Sequence, residues 1–137
     1  MQRMSKKRRR FMNLVKPIRS GLINEVGRCE ICRRTPGAPA KDVPRELTQL
    51  CCHEIANGPL RAQALDKRFA LLVLCWYCNG HVVTNKAVWP QARQLAFLRS
   101  SRPQDFDLVA FNHLVNPNAP DRITIDEVDS YGGQRNV

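Results

Sequence analysis

An α+β fold, low in strand content, is what this 137-residue chain predicts. Three observations lead there. Two C-x2-C pairs, Cys29/Cys32 and Cys75/Cys78, are spaced to pinch one metal ion. An apolar run of strand length, Phe69 to Leu74, feeds straight into the second pair, and helical sequence follows it. Helix-spaced apolar residues then fill most of the chain from Pro90 onward. The length suits one domain, which buries roughly 68–70% of its unfolded surface at about 150 residues.

In chain order, residues 1–10 carry the run Lys6-Lys7-Arg8-Arg9-Arg10 and read as a mobile arm. Residues 11–26 predict a short helix with Leu14, Ile18, Leu22 and Val26 on one face, although Pro17 and Gly21 oppose it. Gly27 to Cys32 reads as a strand end and tight turn, and 33–46, rich in Pro, Gly and charge, as an exposed loop. Leu47 to Ala56, with Cys51-Cys52-His53-Glu54-Ile55, predicts a short strand that Asn57-Gly58-Pro59 breaks. Leu60 to Lys67 suits one or two helical turns, and a helix runs from about Asn79 to Lys86. Pro90 opens another helix reaching Ser100, with Trp89 as a core anchor before it. A further helix from about Pro103 places Phe106, Leu108, Val109, Phe111, Leu114 and Val115 on one broad face. Thr124 and Glu127 form a capping box for a last short helix, and Gly132 to Val137 should fray. The organisation is an arm and helix over 1–26, a metal-binding unit over 27–88, and a helical extension over 89–137 packed on the same domain.

Charge divides the chain. The formal net charge is +10, yet residues 1–34 hold 11 basic side chains against Glu25 and Glu30, a net +9, while residues 104–137 hold two against six acids, a net −4. A basic front implies a polyanionic partner, bound with strong salt dependence. The acidic end offers a surface for a second copy or another protein. No apolar run approaches the roughly 18 residues of a membrane span, and no apolar h-region follows the basic start, so a cytoplasmic setting with reduced thiols is expected.

Reduced thiols leave the paired cysteines to a metal. Four thiolates suit tetrahedral Zn²⁺, a structural ion that supplies folding energy. A redox role would need only one pair in a βαβ setting. Cys51 and Cys52 lack paired spacing and read as a small apolar strand residue and a spectator. His113 reads as structural, and Trp76 and Tyr77 as packing residues inside the second knuckle.

The order C-x2-C, His-Glu-Ile strand, apolar strand, C-x2-C-Asn-x-His resembles zinc-containing HNH endonucleases, chiefly phage-type variants with His-Glu in place of His-His. The resemblance covers about Cys29 to Thr84. It implies a treble-clef, ββα-metal core with extra C-terminal helices, in a bacterial or phage-infected host cell. It also implies metal-dependent hydrolysis of DNA phosphodiester bonds, in which a divalent ion neutralises the scissile phosphate and a histidine activates water. Carried over by position, His53 is a ligand of a catalytic ion such as Mg²⁺, and Asn79 and His81 complete its shell. Glu54 falls where the general base stands and could instead join His53 on the metal. The orienting Asn is replaced by Ala70. Arg28, Arg33, Arg34, Arg61, Lys67 and Arg68, with Lys6, Lys7, Arg8, Arg9 and Arg10, are the phosphate-contact candidates. Two further readings stand beside this one. A catalytically inactive zinc-stabilised DNA- or RNA-binding module fits the departures from the motif. A protein-interaction zinc module fits the acidic end.

Overall fold

The computed structural model describes residues 5–38, 42–56 and 58–132. Its centre is a two-stranded antiparallel sheet, β1 (Leu50–Glu54) against β2 (Leu71–Cys75), with Leu50 opposite Cys75 and His53 opposite Leu72. Helix α1 (Lys6–Val26) covers one face, and α2 (Gln91–Ser101) with α3 (Leu108–Val115) lies on the other. Side chains alternate across a strand. Leu71 and Val73 therefore join Leu22 and Cys52 beneath α1, while Leu72 and Leu74 enter the larger core with Leu95, Leu98 and Phe111. Strand β2 is buried on both faces, which is why it reads as an unbroken apolar run.

Gly27 to Cys32 is bend and turn without a strand, the helix expected from Pro103 begins at Leu108 after a 3₁₀ turn, and two further expectations change. The segment taken as an arm is helical from Lys6, and one continuous helix runs to Val26. Ser5 caps it by accepting from the Arg8 N–H (3.1 Å), and Gly27 ends it in the left-handed conformation (φ 70°). Pro17 removes one backbone donor from a mostly exposed stretch, where water satisfies the freed carbonyl. The helix after Cys78 is also shorter than expected: a π-helical turn, Cys78–Val82, gives way to turns before Trp89. The last helix, α4 (Ile125–Ser130), carries the expected capping box between Thr124 and Glu127. The fraying expected of the C-terminus falls mostly on 133–137, outside the described residues.

A buried ionic link ties the first cysteine pair to the far end of α2. Glu30 donates its backbone N–H to Val73 O (2.8 Å) and accepts from the Val73 N–H on Oε1 (2.8 Å), so the knuckle docks against β2. Arg102 donates to both Glu30 oxygens (3.0 and 3.1 Å), to Asp105 (2.9 Å) and to the Leu71 carbonyl. Ser101 also donates to Glu30. Arg68 extends the network to Asp105 and Glu25, each at 2.8 Å.

Candidate metal centre and histidine site

Cys29, Cys32, Cys75 and Cys78 converge, their sulfurs all within 4.8 Å of one another. In a tetrahedral thiolate site with metal–sulfur bonds of about 2.3 Å, the sulfurs sit about 3.8 Å apart. The Cys32–Cys75 separation is 3.7 Å. Both pairs are folded as knuckles that aim backbone donors at sulfur: Cys32 N–H donates to Cys29 Sγ (3.5 Å) and Cys78 N–H to Cys75 Sγ (3.4 Å). Such donors favour thiolates. The first knuckle closes through Arg33 N–H to Cys29 O (2.9 Å) and Cys29 N–H to Arg34 O (3.0 Å). Hydrogen bonds from Cys32 and Cys78 lower the Cys29 pKa, and the same contacts with Cys29 push Cys32 and Cys78 up. Four sulfurs this close cannot ionise together without a cation among them. The group fits a metal ion.

Cys51 and Cys52 stand apart from this group. Their thiols donate to the Leu74 (3.5 Å) and Arg19 (3.6 Å) carbonyls, and burial raises both pKa values, Cys51 to about 11.

His53 projects from β1 toward α2. Its Nδ1 lies 3.1 Å from Asn79 Oδ1 and its Nε2 lies 2.8 Å from Gln94 Oε1. Gln94 is fully buried and donates its amide N–H to Trp89 O (3.0 Å), which leaves its carbonyl oxygen facing the imidazole. His53 then carries its proton on Nε2 and presents a bare Nδ1 lone pair to Asn79. Two lone pairs do not bond. Either the Asn79 amide turns to offer its NH2, or a cation lies between them. Burial lowers the His53 pKa, so the ring is neutral near pH 7.

Glu54 does not join this group. As the next residue on the strand it faces α1, where it pairs with Arg19 (3.4 Å) and Arg61 (3.5 Å). Arg19 also donates to Cys52 O (2.9 Å) and Leu65 O (3.3 Å), which holds the pair in place. His81 does not join it either. The π-helical turn leaves His81 exposed and stacked on Tyr77, ring centroids 5.1 Å apart. Ala70 N–H and O are spent on Lys67 O and Ile55 N–H. Of the residues expected around a catalytic ion, the fold brings together His53 and Asn79 alone. Two protein ligands, one of them an amide, leave most of a Mg²⁺ octahedron to water and phosphate oxygens.

Gln94 and Arg19 were not among the expected site residues. The signal for Gln94 was a polar side chain on the apolar stripe formed by Ala92, Leu95 and Leu98, a position that demands a partner.

Among the cationic candidates, Arg61, Lys67 and Arg68 each have an acidic partner. Among the described residues, Lys6, Lys7, Arg8, Arg9, Arg10, Arg28, Arg33 and Arg34 have none within ion-pair distance, and all but Arg34 are exposed. No described helix is long and apolar enough to cross a membrane. No family model, curated protein or solved structure matches the chain.

Proposed function

We propose that this protein is a zinc-stapled nucleic-acid-binding module on an HNH-like, treble-clef ββα frame. The observation that carries this reading is the outer half of α1. Lys6 to Arg10 form an exposed, carboxylate-free helical tip on the same helix that packs against the hairpin whose end bears the four-sulfur centre. Zinc there would be held by Cys29, Cys32, Cys75 and Cys78 and supply folding energy, with the cationic tip gathering phosphates by counterion release. DNA is the expected partner.

Hydrolysis of DNA is the second reading, and one observation favours it. A scaffold has no need of a buried neutral imidazole whose Nδ1 lone pair is aimed by Gln94, and such a group can accept a proton from water. Locking Glu54 to Arg19 and Arg61 withdraws the expected carboxylate base, which is why binding ranks first.

Retardation of duplex DNA, together with nicking of supercoiled plasmid in Mg²⁺ or Mn²⁺ at low salt, separates these readings. Binding alone, lost when Lys6 to Arg10 become glutamine, supports the module. Nicking by the parent but not by His53→Ala establishes the nuclease. Failure to retard DNA at about 50 mM salt removes both.

A further inference from the structure

A cavity of about 330 Å³ opens beside the first knuckle, between the C-terminal ends of α1, α2 and α4. It does not include His53 or the outer half of α1. That volume is in the range of small-molecule sites, roughly 300–1,000 Å³. Its carboxylates are already neutralised: Glu30 by Arg102 and Glu25 by Arg68. Arg28 and Arg33, both in its lining, have no acidic partner among the described residues, so the lining offers two uncompensated cations to a ligand. Ser100 adds a hydroxyl, and Val26, Phe97 and Tyr131 supply apolar and aromatic lining.

Arg33 brings an independent observation. It is the one described non-glycine residue with positive φ, at 65°. The position follows the second cysteine of a knuckle, where the chain must turn left-handed and glycine would fit without strain. A long cationic residue sits there against its backbone preference and lines this cavity. Backbone strain of that kind is kept where a side chain has work to do.

We infer that this cavity binds a nucleotide unit, its phosphate between Arg28 and Arg33 and its base against Phe97 and Tyr131. The paired cations call for a phosphate, and the aromatic side with the volume calls for more than a phosphate alone. The unit is either a free mononucleotide or the 5′-phosphorylated end of a strand. The inference goes beyond the proposed binding by α1 and does not depend on it.

Calorimetry on the zinc-loaded full chain tests it, with dAMP, deoxyadenosine and inorganic phosphate as probes. The expected result is binding of dAMP at least tenfold tighter than either fragment, with NMR shifts of the Phe97 and Tyr131 ring signals. Arg33→Gly, which relieves the backbone and so keeps the fold, and Arg28→Ala should each weaken dAMP at least tenfold. Zinc content and circular dichroism should stay unchanged. Glutamine at all of Lys6 to Arg10 should leave dAMP affinity intact, which separates this site from the α1 surface. A 5′-phosphorylated oligonucleotide that displaces dAMP identifies a strand end, and one that does not identifies the free nucleotide. No binding of dAMP, or parental affinity in Arg33→Gly, would overturn the proposal.

Discussion

Gln94 fixes the state of His53. Its buried amide donates to Trp89 O at 3.0 Å and turns its carbonyl to the imidazole Nε2 at 2.8 Å, so the ring's proton and its lone pair each have a set direction. The resemblance implies an orienting asparagine where Ala70 stands, just ahead of β2, in support of the position that Glu54 occupies. His53 instead takes its support from Gln94 on α2.

Removing that support should show in the ring itself. Gln94→Leu leaves the Nε2–H buried without an acceptor, at a cost of about 1–3 kcal/mol. Nitrogen-15 NMR should report a single Nε2–H tautomer in the parent and a mixture in the variant. A ring that stays in one tautomer in Gln94→Leu would show that something else orients it.

Acid should destabilise the fold through the same histidine. Burial holds its folded pKa below the ordinary value of 6.5. The unfolded chain therefore takes up the proton first. The contribution is whole above pH 6.5 and falls as pH drops through 6.5 toward the folded pKa, below which it levels off. Urea unfolding between pH 8 and 5 should show this decline in the parent and a flatter profile in His53→Gln.

Metal removal should unfold the core. A structural zinc site supplies much of a small domain's stability. One zinc per chain by mass spectrometry is expected, and a chelator should abolish the cooperative unfolding transition. Serine at Cys29 or Cys75 should do the same, whereas serine at Cys51, outside the cluster, should keep the zinc.

Breaking the Glu30–Arg102 link should cost about 3–5 kcal/mol, because either partner alone is left as a buried charge. Arg102→Leu should show that loss in urea unfolding. Glu30→Gln with Arg102→Leu should recover part of it, since the pair is removed together.

The first turns of α1 should gain helix on binding a polyanion. Cations crowd the positive end of the helix dipole, and no acid sits in the first turn. At low salt, ellipticity at about 222 nm should deepen when duplex DNA is added. The variant with glutamine at Lys6 to Arg10 should show no such change.

What was legible in the sequence was whatever one pattern dictates. Strand β2 announced itself because both of its faces are buried, the four cysteines because of their spacing, and α4 because Thr124 and Glu127 cap it locally. What was not legible depends on partners far along the chain. Glu54 looked like a companion of His53 because the two are adjacent, yet strand alternation sends them to opposite faces. Nothing local marks Glu30 as structural, because its partner Arg102 lies 72 positions on. The stretch from Lys6 read as an arm because of its run of charge, yet it continues the helix whose Leu22 packs against the hairpin, a burial worth about 1.5–3 kcal/mol.

The helical form of Lys6 to Arg10 has a geometric result. A helix turns once in about 3.6 residues, so five successive cations go round the axis more than once. The tip has no charged side and no neutral side: it is a positive collar. A polyanion would meet the same field from any azimuth, so on the proposed reading this end would hold a strand without selecting its sequence.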